Sequence, residues 1–309
     1  MVSRSAGFTG RDVVTVTDLC RSDIETVLEH AAACEKAGRA RTFSHMLDGY
    51  LLATIFLEPS TRTRLSFEAA MQRLGGGVIS VAEPHSSSLA KGESLADMVR
   101  VVEQYADVIV LRSPEPGAAA VAAAAAAAPV INAGDGTHEH PTQALLDLYT
   151  IKKERGRLDG LTVAFAGDLK HGRTVHSLVL ALLPFKPTVL LVSPVSLALP
   201  STLVEAAERA GVRLATLPCL EDALGAADVL YMTRVQRERF ADEAEYDSLR
   251  GAYRLDRATL ERVGGGATIM HPLPRLTELA EDLDDAPAAA YLRQAGNGIW
   301  VRQALLGLI

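Results

Sequence analysis

LLATIFLEPSTRTRLSFEAA, residues 51–70, sets the architecture of the chain. Leu51 to Leu57 is a short apolar run of the kind that forms a strand buried on both faces. Glu58-Pro59 ends the run, and from Ser60 the apolar spacing becomes helical. Strand, turn and helix in this order are half of a βαβ unit. Two hydroxyl–arginine pairs, Thr61-Arg62 and Thr63-Arg64, stand where the strand becomes the helix, with Ser60 ahead of them. Ser60 occupies the N-cap position. The N–H groups of Thr61, Arg62 and Thr63 then lack intrahelical partners, and the helix dipole adds positive potential. Such a helix start binds phosphate, with the hydroxyls as further donors and one guanidinium for a bidentate contact. Arg62 and Arg64 face different ways. Arg64 lies four residues before Glu68 and is expected to pair with it, which leaves Arg62 for the anion.

The same alternation runs along the chain. GVISVA (77–82), DVIVLR (107–112) and PVINA (129–133) are further strand candidates, and the alanine tract 118–128 reads as a helix. A helix over about 141–155 leads through Gly156 and Gly160 to a second set: LTVAFAG (161–167), TVLLVS (188–193), VRLATL (212–217), DVLYMT (228–233) and ATIMH (267–271). Apolar strands alternating with helices give the α/β class. The expectation is two doubly wound domains, each a parallel sheet flanked by helices, with the active site in a cleft between them. The expected division is 1–148 and 149–293, with an amphipathic helix over 294–309 packing back onto the first domain. Near the start, Ser22-Asp23-Ile24-Glu25 has capping-box spacing, with Ile24, Val27, Leu28 and Ala31 on one helical face.

A chain of 309 residues is long for one core, in keeping with two domains. The formal charge, 31 − 38 = −7, argues against a nucleic-acid-binding or acidic-membrane surface, so any anion site is a local arginine cluster. Cys20, Cys34 and Cys219 lie far apart, which fits neither a disulfide framework nor a structural zinc site and suits a reducing compartment. The first residues lack the apolar core of a signal peptide, and Ala118 to Ile131 is too short to span a bilayer. A cytoplasmic protein is the expectation.

Other segments put chemistry at strand ends. His140 and Gln143, three apart at a helix start, are placed to address one small polar group. His138 and His140 form an HxH pair without an acidic or cysteine partner at helical spacing, so no metal is expected. Gly167 to Thr174 reads G-x-x-x-x-G-R-T, a P-loop with arginine in place of lysine. A nucleotide-binding protein is therefore the rival reading, disfavoured because the strand DVLYMT lacks a terminal Asp for magnesium. In the other reading, Arg173 presents its guanidinium to a carboxylate. Arg234 and Gln236 follow DVLYMT, while Arg237 and Arg239 read as solvated. His271-Pro272-Leu273-Pro274 is a rigid strand exit able to offer carbonyl oxygens to an amine. Ser86, Ser87, Ser88 and Lys91 lie in a loop from which a lysine could reach a phosphate. GxSxG, HExxH and GxGxxG motifs are absent, so the chemistry expected is positioning and charge stabilisation.

PSTRTRLSFE, SLAKGESLADM, NAGDGTHEHPTQALLDLYT, GDLKHGRTVHSL, YMTRVQRER, HPLPR and QAGNGI together resemble the aspartate carbamoyltransferase catalytic chain over nearly the whole length. The sister ornithine carbamoyltransferases share the STRTR-type and HPxQ-type segments but carry an HCLP-like late motif. Pro272 and the TRVQ segment favour aspartate; an ornithine-type enzyme stays the alternative. The resemblance implies transfer of the carbamoyl group of carbamoyl phosphate to L-aspartate, in pyrimidine biosynthesis, with no cofactor. It implies that Ser60, Thr61, Arg62 and Thr63 bind the phosphate. Thr63, Arg112 and His140 would hold the carbonyl oxygen, and Gln143 the carbamoyl amine. Arg173, Arg234 and Gln236 would grip the two carboxylates of aspartate, and the Pro272 and Leu273 carbonyls the amino groups. Ser88 and Lys91 would enter a neighbouring subunit's site, which implies a homotrimer; whether Ser87 or Ser88 does so stays open. A regulatory chain or a dihydroorotase partner is a further possibility within the family. Arg112 is followed by Ser113 where histidine is frequent, a departure that touches none of these roles.

Overall fold

The apolar run that opens at Leu51 forms β1 (Leu51–Phe56), with every residue after Leu51 buried. In a computed structural model of the chain, residues 7–42, 44–82, 88–235, 237, 243, 246 and 253–309 are described, apart from the side chains of Ser88 and Leu89. By internal contacts the chain forms two units, Met1–Leu146 with Gly296–Ile309, and Asp147–Ala295.

In the first unit β1, β2 (Gly77–Val81), β3 (Val108–Ser113) and β4 (Val130–Asp135) make a parallel sheet in the order β2-β1-β3-β4. Its helices are α1 (Arg21–Arg39), α2 (Thr61–Arg73), α3 (Leu95–Val102) and α4 (Ala118–Ala125). The pleat divides the strands. Ala53, Ile55, Ile109 and Leu111 share a core with Met98 and Val99 of α3 and Ala118 and Ala122 of α4. The tight alanine face lets α4 approach closely. The tract stops being helical at Ala126, which is extended (φ −94°, ψ 147°). Pro129 lies just beyond and disfavours helix in the residue before it, so the helix is shorter than the tract. Of the two edge strands β2 is half-exposed, while β4 is buried throughout with Val13 bridged to Ile131 on its outer side.

α1 starts at Arg21, not after Ser22. The carboxylate that reaches back belongs to Asp23, which accepts the Cys20 N–H at 3.1 Å and is fixed by Arg11 at 3.0 Å. The expected face is correct: Ile24, Val27, Leu28 and Ala31 are all buried.

α5 (Pro141–Arg155) carries the chain from one unit into the other. The second unit contains β5 (Thr162–Ala166), β6 (Thr188–Val192), β7 (Arg213–Thr216), β8 (Val229–Met232) and β9 (Thr268–Met270), parallel and in the order β7-β6-β5-β8-β9. α6 (Arg173–Leu182), α7 (Ser201–Arg209), α8 (Leu220–Ala226) and α9 (Arg257–Val263) flank it; of the two edge strands β7 is largely exposed and β9 is buried.

α10 (Tyr291–Leu308) is not amphipathic in place: Val301 to Leu306 are buried in succession, Arg302 and Gln303 included. Its later turns pack within the first unit. Arg302 donates to Ser66 Oγ at 2.7 Å and lies over the Phe67 ring, Arg73 lies over Trp300, and the Ile309 carbonyl accepts the Gly10 N–H. Neighbours on more than one side, α2 among them, bury residues 301–306 on every face, while Leu292, Arg293 and Gly307 are exposed. Among the described residues, no helix is long and apolar enough to cross a membrane.

Candidate active site

Each sheet reverses its strand order once, between β1 and β3 and between β5 and β8. In open α/β sheets ligands bind at such switch points, outside the carboxyl ends of the strands. Because each sheet is parallel, all its carboxyl ends share one edge.

In the first unit Ser60 directly precedes α2, with an extended backbone (φ −159°, ψ 102°) and a side chain that makes no capping hydrogen bond. Thr61 and Arg62 are exposed, while Thr63 is buried. Surrounding protein atoms lower the pKa of the Arg62 guanidinium from its ordinary value, although the residue as a whole is exposed. It remains a cation at neutral pH. Arg64 lies 3.7 Å from Glu68, whose carboxylate also accepts from Ser80 Oγ at 2.7 Å. The two arginines therefore part as expected, Arg64 along the helix and Arg62 outward.

Arg112 lies near the end of β3, the neighbour of β1. The β3–β4 register shifts between Leu111 and Ser113, and such an irregularity re-aims the side chain within it. Its guanidinium lies 3.2 Å from Glu58 and donates to the Ala133 carbonyl at 3.2 Å, tying three strand ends together.

The turn after β4 is organised by Asp135, whose carboxylate is buried. It accepts the Gly117 and Glu139 N–H groups at 3.0 and 3.1 Å and the Asn132 amide at 3.0 Å, and lies 3.2 Å from His138 Nδ1. This turn delivers His140 to the start of α5, where its carbonyl accepts the N–H groups of Gln143 and Ala144. His140 is buried with Thr142 Oγ1 3.5 Å from its Nδ1, Gln143 is half-buried, and His138 is exposed. The two histidines of the HxH pair thus occupy different environments. Glu139 accepts the Val16 N–H at 2.7 Å, and burial pushes its carboxyl pKa up. Lys91 is exposed at the end of the 3-10 helix Ser88–Lys91, whereas the side chain of Ser88, and Ser87 altogether, lie outside the described residues.

In the second unit the expected residues follow three neighbouring strands, β5, β8 and β9. After β5, Asp168 is fully buried, accepts the His171 N–H at 2.9 Å and lies 3.2 Å from the ring Nδ1. A carboxylate inside this turn repels a phosphate where a P-loop would cradle one, which weighs against the nucleotide-binding reading. Arg173 opens α6 and is half-buried. After β8, Thr233 Oγ1 lies within reach of the Ala166 and Asp168 carbonyls, at 3.3 and 3.4 Å, and Arg234 follows, half-buried. Gln236 lies outside the described residues, as does Arg239; Arg237 is exposed and pairs with Glu243 at 2.5 Å. After β9, Pro272 and Leu273 are half-buried, Leu273 has φ 56°, and the Leu273–Pro274 bond is cis. His271 beneath them is buried. Desolvation first, then the charges of Arg234 and Arg275, lower its pKa against the opposing pull of Glu278. Burial would raise the Glu278 pKa, but His271 and the local N–H groups outweigh it and the net direction is down.

Each sheet therefore gathers one set of expected residues at its carboxyl edge: Ser60 to Thr63, Arg112 and His140 in the first, and Arg173, Arg234, Pro272 and Leu273 in the second. Glu58 and Asp135 were not singled out from the sequence. The signals were present, an acid before Pro59 and an Asp-Gly turn, but neither identifies its partner. Among the described residues no group of three or more His, Cys, Asp or Glu side chains is arranged to hold a metal ion.

Residues 11–153 match the family model described as the carbamoyl-P binding domain of aspartate/ornithine carbamoyltransferase, and residues 159–309 match its Asp/Orn binding domain. Similar proteins include the aspartate carbamoyltransferase catalytic subunits of Thermococcus gammatolerans, 50% identical over 97% of each chain, and of Methanopyrus kandleri, 50% identical over 98% of each. Among solved structures, the catalytic subunit of M. jannaschii aspartate transcarbamoylase is 47% identical with a TM-score of 0.90, covering 96% of this chain and 97% of that one. Trypanosoma cruzi aspartate transcarbamoylase in complex with carbamoyl phosphate and aspartate is 39% identical with a TM-score of 0.92 over 97% of each chain. Matched by both domain models, and by relatives of half its sequence along nearly its full length, the chain belongs to the aspartate/ornithine carbamoyltransferase family.

Proposed function

We propose that this chain transfers the carbamoyl group of carbamoyl phosphate to the α-amine of L-aspartate, giving N-carbamoyl-L-aspartate and phosphate, as a cytoplasmic step of pyrimidine biosynthesis. The observation that carries the reading is the presence of two dissimilar strand-edge clusters, one in each unit. One has a helix start with hydroxyls and a guanidinium, suited to a phosphate. The other has two arginines beside a proline-bounded loop, suited to a dicarboxylate with an amine. The relatives named for aspartate and the Pro272 position favour aspartate over ornithine.

In this reading Ser60, Thr61, Arg62 and Thr63 hold the phosphate. Thr63, Arg112 and His140 hold the carbonyl oxygen, and Gln143 the carbamoyl amine. Arg173, Arg234 and Gln236 hold the aspartate carboxylates, and the Pro272 and Leu273 carbonyls its amino group. The amine attacks the carbamoyl carbon, negative charge grows on the carbonyl oxygen, and the tetrahedral intermediate expels phosphate. The departing phosphate takes the amine's proton, so no protein base is required. Each oxyanion donor contributes ~3 kcal/mol, about a hundredfold in rate. Ser88 and Lys91 act in a neighbouring subunit's site, within a homotrimer. The exposed Leu65, just past the Thr-Arg pairs, and Ile79 on the edge strand β2 offer apolar surface to such an interface.

The test is product formation from carbamoyl phosphate with L-aspartate and L-ornithine in parallel. Carbamoyl-aspartate alone is expected. Citrulline would keep the phosphate site and overturn the aspartate assignment, and no product with either amine would overturn the reading.

A further inference from the structure

His271 leaves β9 directly and is 1% exposed, and its backbone N–H and two ring nitrogens each meet a different part of the second unit. Its backbone N–H donates to Gln294 Oε1 at 2.9 Å. The Gln294 amide donates in turn to Asp147 Oδ1 at 2.6 Å, and Asp147 Oδ2 accepts the Tyr231 hydroxyl at 2.8 Å. Nε2 of the ring lies 2.9 Å from Glu278 Oε1, bent away from a straight hydrogen bond, and Glu278 also accepts the Leu276 N–H at 3.1 Å. Nδ1 accepts the backbone N–H of Leu273 at 2.8 Å.

The last contact fixes both a tautomer and a direction. A backbone N–H only donates, so Nδ1 must present its lone pair and the ring proton sits on Nε2, facing Glu278. The Leu273 N–H belongs to the same planar peptide unit as the Pro272 carbonyl, and this unit is trans. In a trans peptide the C=O points opposite to the N–H. Holding the N–H against the buried ring therefore aims the Pro272 oxygen away from it. Leu273 itself has φ 56°, a conformation a leucine seldom adopts unaided, so the loop needs an external hold.

We infer that His271 is a positioning residue for the amine of the second substrate: through Nδ1 it orients the Pro272–Leu273 peptide so that the Pro272 carbonyl faces the attacking nitrogen. The inference rests on the proposed reading in one respect, that this carbonyl accepts from the aspartate amine. His271 touches no substrate; it acts through the Leu273 backbone. Buried Glu278 holds the ring from the far side, and Gln294 with Asp147 holds its backbone.

Two substitutions separate the ring nitrogens. His271→Asn keeps an acceptor near the Nδ1 position and loses the group facing Glu278. His271→Gln keeps a donor near the Nε2 position and loses the acceptor for Leu273. The expected result is a tenfold or greater rise in the KM for aspartate in His271→Gln, with the KM for carbamoyl phosphate unchanged, and a KM for aspartate within threefold of wild type in His271→Asn. Equal effects of the two substitutions on aspartate, or none, would overturn the inference. A measurement without substitution runs beside it: ¹⁵N shifts of histidine-labelled wild-type protein should show His271 as the neutral Nε2–H tautomer from pH 6 to 8. An Nδ1–H tautomer or a charged ring there overturns the inference whatever the variants do. Wild-type turnover of aspartate, assayed in the same preparation, tests the reading on its own. Its absence would remove the substrate while leaving the tautomer result standing.

Discussion

A Cβ built on Gly167 would lie 2.2 Å from the carbonyl oxygen of Thr233. Gly167 also has φ 114°, a conformation open to glycine and strained for any other residue. It follows β5, Thr233 follows β8, and these strands are neighbours at the switch point of the second sheet. The contact sets how closely the turn before Arg173 approaches the segment bearing Arg234. Gly167→Ala must push the two apart. The expected outcome is a stability loss of about 1–3 kcal/mol, as for other overpacked sites, with a raised KM for aspartate. Urea unfolding and aspartate titration check it. Unchanged values for both would mean that the junction has slack to absorb a methyl group.

Arg62 and Arg64 stand two residues apart and do different work. Arg62→Ala should lower kcat/KM for carbamoyl phosphate by about a hundredfold or more, because it removes a guanidinium from a developing phosphate charge. Arg64→Ala should cost no more than about 1 kcal/mol of stability, the scale of a partly exposed i,i+4 pair, and should leave carbamoyl phosphate use near wild type. Steady-state kinetics of both variants decide the matter. Equal kinetic losses would show that the pairing of Arg64 with Glu68 is itself part of the phosphate site.

Arg234→Ala should act on the other substrate. Losing a charge-assisted contact worth roughly 1.5–3 kcal/mol should raise the KM for aspartate by one to two orders of magnitude while carbamoyl phosphate binds as before. Isothermal titration with carbamoyl phosphate alone, set beside aspartate kinetics, separates the effects. Parallel losses for both substrates would break the carboxylate assignment.

Much of this was legible in the sequence because parallel sheets write themselves in short apolar runs. All nine strands of the described residues fall within a residue or two of the runs that suggest them. The residue chemistry at strand ends was legible for the same reason: charge immediately after an apolar run has nowhere to go but the sheet edge. The partners of those residues were not legible. Nothing local joins Arg112 to Glu58, or Asp135 to Gly117, since those contacts arise only when β1, β3 and β4 lie side by side. Local reading also misplaced two ends. Ser22 has capping spacing, but Asp23, held by Arg11, begins the helix earlier, and the alanine tract continues past the point where the approach to Pro129 turns the chain extended. Edge strands β2 and β7 read as buried because their composition matches that of the other strands; the opposite edges, β4 and β9, are buried under bridges from Val13 and Ala289, and nothing local in the sequence separates the two cases.

Arg275 and Asp284 make a forked pair, with Nη2 2.7 Å from Oδ2, and the Tyr291 hydroxyl adds a third bond to Asp284 at 2.5 Å. The Arg275 hydrogen bond, with help from Tyr291, holds the Asp284 carboxyl down at about 2, and burial together with the nearby carboxylate raises the Tyr291 hydroxyl to about 12. An unfolded aspartate titrates near ~3.9. The native pKa is therefore the lower of the two, so the pair's contribution is fully present above about pH 4 and is lost as pH falls toward 2. Asp284 is a third exposed, so solvent screening keeps the effect modest. Asp284→Asn removes the charge at every pH. The difference in urea midpoint between wild type and Asp284→Asn should be largest at pH 7, hold to about pH 4, and shrink between pH 4 and 2.5. Taking the difference cancels the other carboxylates that titrate in this range, Asp23, Asp228 and Glu278 among them. A gap that stays constant down to pH 2.5 would mean that the pair is held by shape and not by charge.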